Sequence, residues 1–143
     1  MLLQGYELIK ETYLLLDDGD QRFLDQYNLT PVQFYTLLWL EESPKNMSQL
    51  SKALLCDPSN VTRVAGILER KELITRQRDK NDRRVINLQL TEAGQQLCQT
   101  VREAHNTFTQ QRMTVLNESE QTDLINLLYK LGHGLRQQLE SQS

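Results

Sequence analysis

One stretch decides what kind of fold this chain can adopt. From Val85 to Leu90 apolar and polar residues alternate, with Ile86, Leu88 and Leu90 on one face and Asn87 and Gln89 on the other. That period of two marks a strand. Leu73 to Arg78 is strand-like as well, and the cluster Asp79-Lys80-Asn81-Asp82 between the two stretches has turn composition. Together they predict a β-hairpin with a charged tip. Elsewhere the apolar residues recur every three to four positions, so the hairpin is an insert in a helical chain. Three prolines, six glycines and 6% aromatic residues also favour helices over a sandwich or barrel.

The helices can be placed by their stripes and their start signals. Leu2, Tyr6, Ile9, Tyr13 and Leu16 form an amphipathic stripe in a first segment running to about Tyr27. Asp17-Asp18-Gly19-Asp20 interrupts it, and a bend or break is expected there. Thr30-Pro31-Val32-Gln33 opens a second helix with a capping hydroxyl, a proline at the first helical position and a glutamine that reaches back. Ser43-Pro44 ends it. A short third helix holds Leu50, Ala53 and Leu54, capped from Asn46 or Ser48. A fourth runs from about Pro58 to Lys71. After the hairpin, Thr91 caps a long helix carrying Leu97, Val101, Ala104, Phe108 and Val115. Asn117 with Glu120 forms a capping box for a last helix striped by Leu124, Leu128, Leu131, Leu135 and Leu139. The expected order is four helices, a hairpin and two helices.

At 143 residues the chain has the length of one domain. No apolar run approaches the roughly 18 residues of a membrane span. The first ten residues lack a basic region of the kind that opens a signal peptide. Cys56 and Cys98 are too few for a disulfide framework, and with His105 and His133 they make a poor metal set, so a cytoplasmic location and no metal are expected. An enzyme would need a nucleophile with its base, paired acids or a phosphate loop, and no such constellation is visible. His105 and His133 read as exposed or interface residues, and no cofactor is implied.

The net charge of −3 hides a segregation. From Pro44 to Glu92 ten basic residues face six acidic ones, a net +4, and the rest of the chain carries −7. A basic middle between acidic ends suits a polyanion. Three short helices and a basic hairpin have the layout of a winged helix-turn-helix. On a helical wheel Val61, Val64, Ala65 and Leu68 share one side of the fourth helix. Ser59, Thr62, Arg63, Gly66 and Arg70 share the other, with Asn60 on the flank. Small hydroxyls let a helix sink into a major groove, arginine reads guanine with two hydrogen bonds, and asparagine can meet adenine or a phosphate. The hairpin tip offers Lys80, Arg83 and Arg84 to a minor groove, whose potential attracts guanidinium groups. Asp79 and Asp82 fit as partners that orient Arg76 and Arg84. The competing reading of both surfaces is a solvated charged face.

These residues resemble the MarR (multiple antibiotic resistance regulator) family over nearly the whole chain. The resemblance is carried by Thr30-Pro31-Val32-Gln33-Phe34, Leu50-Ser51-Lys52-Ala53-Leu54, Ser59-Asn60-Val61-Thr62-Arg63 and Leu68-Glu69-Arg70-Lys71-Glu72-Leu73-Ile74. Most specific are Arg76-x-x-Asp79-x-x-Asp82-Arg83-Arg84 and Leu90-Thr91-Glu92-Ala93-Gly94. The resemblance implies a single MarR-like domain over 1–143, with a DNA-binding region at about 30–90 and dimerisation helices at about 1–27 and 91–143. It implies a homodimeric transcriptional regulator, usually a repressor, on pseudo-palindromic double-stranded DNA. Arg84 takes the place of the family's wing arginine, with Asp82 as its orienting partner. A small aromatic or anionic effector is implied, and no membrane. Two alternatives remain within the fold: a redox-sensing regulator working through Cys56, beside the recognition helix, and a protein-interaction adaptor that no longer binds DNA.

Overall fold

A computed structural model describes residues 1–142. Its elements are α1 (Leu2–Asp25), α2 (Pro31–Glu42), β1 (Lys45–Asn46), α3 (Met47–Leu54), α4 (Pro58–Arg70), β2 (Ile74–Arg78), β3 (Ile86–Leu90), α5 (Glu92–Met113) and α6 (Glu118–Ser141). The fold is mainly helical with one small antiparallel sheet, as the sequence predicts. The chain divides into two units, residues 1–105 and the residues from Asn106 onward.

In the first unit the expected caps form. Thr30 accepts from the Gln33 amide and Gln33 reaches back to Thr30 N, at 3.3 and 3.2 Å. Of the two candidates before α3, Asn46 is the cap, paired reciprocally with Gln49. Each box satisfies amide groups that the first helical turn leaves open. The apolar sides of α2, α3 and α4 meet in one core that includes Phe34, Leu37, Leu50, Val61, Val64 and Leu68. Leu50 and Leu68 are wholly buried, each contributing about 1.5–3 kcal/mol. Leu88 and Leu90 of the sheet join this core, whereas Ile86, on the same face nearer the tip, is exposed.

Two expectations are corrected here. The hairpin is part of a three-stranded sheet in the order β1-β3-β2, with Lys45 opposite Leu88 and Ile74 opposite Leu90. And α1 passes through Asp17-Asp18-Gly19-Asp20 as continuous helix. Asp18 pairs with Arg22 one turn later at 2.9 Å. Asp20 is buried, accepts a hydrogen bond from the Tyr35 hydroxyl at 3.2 Å, and lies 2.8 Å from His105 Nε2. Tertiary partners thus override the local breaking tendency. His105 is correspondingly not an exposed residue: its ring packs edge-on against Phe23 and Phe34.

The start of α5 is pinned to the start of the hairpin. Thr91 caps α5 by accepting from the Gly94 amide at 3.0 Å, and its hydroxyl donates to the Glu72 carbonyl at 2.7 Å. The Thr91 amide donates to the Leu73 carbonyl at 3.0 Å. Gly94 is buried directly against that carbonyl, where a β-carbon would overlap the Leu73 backbone.

In the second unit Asn117 and Glu120 form the expected capping box, at 2.9 and 3.0 Å. Gln121 closes the turn by donating to Leu116 O at 2.7 Å, and the Arg112 guanidinium stacks on the Phe108 ring at 4.3 Å. No described residue of α6 is buried.

Candidate nucleic-acid interface

Two surfaces carry the predicted site residues. The first is the outer side of α4. Its inner side is fixed by burial of Val61, Val64, Ala65 and Leu68, which leaves Ser59, Thr62 and Arg63 exposed and Asn60 half-buried. Pro58 at the first helical position sets the entry angle. The hydroxyl of Thr62 donates to Pro58 O at 2.9 Å, and Arg63 Nη2 donates to Asn60 Oδ1 at 2.7 Å.

The second surface is the tip of the β2–β3 hairpin. Asp79 organises the turn: its Oδ2 accepts from the amides of Asn81 and Asp82, each at 3.0 Å, and its Oδ1 accepts from the Asn87 carboxamide at 3.1 Å. The two backbone bonds hold the Asp79 carboxyl below its ordinary pKa. Asp82 accepts from Arg84 Nε at 3.1 Å and Nη2 at 3.3 Å, and from the Arg84 amide at 3.1 Å. Arg84 in turn holds the Asp82 carboxyl below its ordinary pKa. Although so held, the Arg84 side chain is 91% exposed. Lys80 and Arg83 are also exposed, and the Arg83 carbonyl accepts from Arg78 Nη1 at 2.8 Å.

Asp82 therefore partners Arg84 as the sequence predicts, whereas Asp79 does not orient Arg76. Arg76 Nε lies 2.6 Å from Glu69 Oε1, so the ion pair runs from β2 to the end of α4. The turn amides take one Asp79 oxygen and the Asn87 carboxamide takes the other. Sequence reasoning missed Glu69. Its signal is faint, a single acid near the end of a helix seven residues before its partner.

Cys56, in the turn between α3 and α4, is half-buried with its Sγ 3.4 Å from Leu54 O. Among the described residues no group of three His, Cys, Asp or Glu side chains is placed to hold a metal ion. No described helix is long and apolar enough to cross a membrane.

Comparison with known proteins places this geometry. A family model described as the MarR family matches residues 29–86, the stretch from the entry to α2 as far as β3. YpoP of Bacillus subtilis, named as an uncharacterized HTH-type transcriptional regulator, is 35% identical over 132 residues, covering 92% of this chain and 93% of that protein. The HTH-type transcriptional repressor MdtR of the same species is 29% identical over 109 residues, covering 76% and 70%. Among solved structures, the Staphylococcus aureus MepR–DNA complex matches with a TM-score of 0.81 at 25% identity, over 90% of this chain and 96% of that one. With sequence similarity sustained from end to end and a shared winged-helix framework, the chain belongs to the MarR family of transcriptional regulators.

Proposed function

We propose that the chain is a sequence-specific DNA-binding repressor that acts in the cytoplasm as a homodimer on a pseudo-palindromic operator, and that it has no enzymatic role. Ser59, Thr62 and Arg63 of α4 face the major groove, with Asn60 beside them, while Lys80, Arg83 and Arg84 of the wing reach the flanking minor groove and phosphates. The observation that carries this reading is Arg84. A side chain that is nine-tenths exposed normally wanders among rotamers, yet Asp82 holds this one by two hydrogen bonds at a hairpin tip and accepts a third from the Arg84 amide. Ordering in advance a cation that touches little else is useful when the partner lies outside the chain. MepR is seen on DNA and MdtR is named a repressor, which supports the same reading. Release by a small aromatic or anionic effector follows the family pattern and is tested by adding an aromatic carboxylate such as benzoate to the titration below.

The test is a binding titration on genomic fragments selected by the purified chain, repeated over several salt concentrations. Arg84→Ala should weaken binding and lower the salt slope by about 0.9 per phosphate interaction lost. Asp82→Ala distinguishes two mechanisms. Simple electrostatics predicts tighter binding once a negative charge near DNA is gone, whereas orientation predicts weaker binding. Tighter binding at every salt rejects the orienting role, and no preference for any fragment by the parent chain rejects the function. A redox switch finds less support. Cys98 is fully buried, and burial pushes its thiol up to about 12, which makes it a poor resolving partner for Cys56.

A further inference from the structure

We propose that Asn60 is a positioning residue that aims Arg63, rather than a reader of bases or a holder of phosphate in its own right. The proposal rests on the DNA-binding reading above and names what sets the specificity of α4. Asn60 and Arg63 stand three positions apart and so share one helix face. Asn60 is half-buried, and its backbone is fixed in the first turn by donation from its amide to Asp57 O at 3.0 Å. From that anchored base its Oδ1 accepts Arg63 Nη2 at 2.7 Å.

The chemistry of the pair matters. A guanidinium has five N–H donors, and the carboxamide oxygen takes one of them. Enough remain in the fork for the two parallel bonds that a guanine edge accepts. The carboxamide is neutral, so Arg63 keeps its full charge toward the duplex, in contrast to Arg84, which leans on a carboxylate. Asparagine recognises adenine by using its oxygen and its nitrogen together on one base edge. With Oδ1 turned toward Arg63, Asn60 does not present that pair. Thr62 narrows the face further. Its hydroxyl proton is committed to Pro58 O, which leaves outward an acceptor lone pair and a methyl group. Among Ser59, Asn60, Thr62 and Arg63 the one charged donor is Arg63, and discrimination depends on where Arg63 is held.

The experiment is a double-mutant cycle on discrimination. Binding of the parent chain, Asn60→Ala, Arg63→Ala and the double variant is titrated against a fragment selected by the parent and against a random duplex. Arg63→Ala should reduce the selected-to-random affinity ratio by roughly five- to a hundredfold if it makes a bidentate base contact. Asn60→Ala should reduce the same ratio by at least about threefold, and in the Arg63→Ala background it should change it by less than about twofold. Asn60→Asp keeps the acceptor oxygen and adds a charge. It should retain most of the ratio while weakening binding to both duplexes, a pattern that mere damage to the helix would not produce. A loss from Asn60→Ala that persists in the Arg63→Ala background, or no loss at all, overturns the proposal while leaving the DNA-binding reading intact. A parent chain with no preference among fragments defeats both.

Discussion

Asp20 shows how a single residue can be misread from composition. Next to a glycine and two other aspartates it has the look of a helix breaker, yet it is buried and meets Tyr35 of α2 and His105 of α5. Burial, together with the Asp20 charge and hydrogen bond, pushes the Tyr35 hydroxyl up to about 12. Removing the carboxylate takes an acceptor from two polar neighbours at once, so Asp20→Ala should cost about 2–4 kcal/mol in chemical denaturation. Asp20→Asn retains one acceptor oxygen and should cost less; equal losses would show that the contacts are incidental. The thiols give a second test at this scale. Cys98 is wholly buried and holds its proton to about pH 12, so in native protein a disulfide reagent at pH 8 should modify Cys56 much faster. The sign of the linkage follows. The neutral Cys98 thiol favours folding below its ordinary value of 9.0, and this contribution is withdrawn as the pH rises from there toward 12. Equal labelling of both cysteines at pH 8 would contradict the burial argument.

Among the elements, the junction of hairpin and α5 explains why Leu90-Thr91-x-x-Gly94 is so specific a signature. Thr91 serves α5 as a cap and ties it to Glu72 and Leu73, and only a residue without a β-carbon fits at Gly94 against the Leu73 carbonyl. Gly94→Ala gains helix propensity, which should stabilise by about 1 kcal/mol, but the backbone overlap forces a shift that should exceed this gain. A net loss of about 2 kcal/mol or more is expected in thermal unfolding, and a more stable variant would show that the junction yields easily. The same elements show what a sequence makes legible. Capping boxes at Thr30 and Asn117 are local devices and can be read directly, whereas before α3 the sequence leaves Asn46 and Ser48 both open and the structure selects Asn46. Strand β1 cannot, because two residues, Lys45 and Asn46, have no period, and their pairing with Leu88 and Asn87 is long-range. The Asp82–Arg84 pair is two residues apart and visible, whereas Glu69–Arg76 depends on how β2 leaves α4.

At the scale of the molecule, the terminal helices carry apolar surface that neither unit covers by itself. On α1, Leu2, Leu3, Tyr6, Tyr13, Leu14 and Leu15 are all more than 60% exposed, as are Leu127, Tyr129 and Leu139 on α6. Single exposed leucines are ordinary, but two long helices lined with them exceed the patch a monomer usually shows to water. A second copy of the chain is the occupant expected of such surfaces in this family, and sedimentation at micromolar concentration should give about twice the 16.7 kDa chain mass. Because a dimer is stabilised by mass action, its unfolding midpoint should rise with protein concentration. Tyr13→Glu combined with Leu128→Glu places charge on both stripes without touching α4 or the wing. The double variant should sediment as a monomer. Its affinity for a full pseudo-palindromic site should fall by roughly a hundred- to ten-thousandfold, because the second half-site is no longer held at high effective concentration. Its affinity for an isolated half-site should remain that of the parent, since the recognition surface is untouched. A charged double variant that still sediments as a dimer, or a monomer that binds the full site as tightly as the parent, would place the working interface elsewhere.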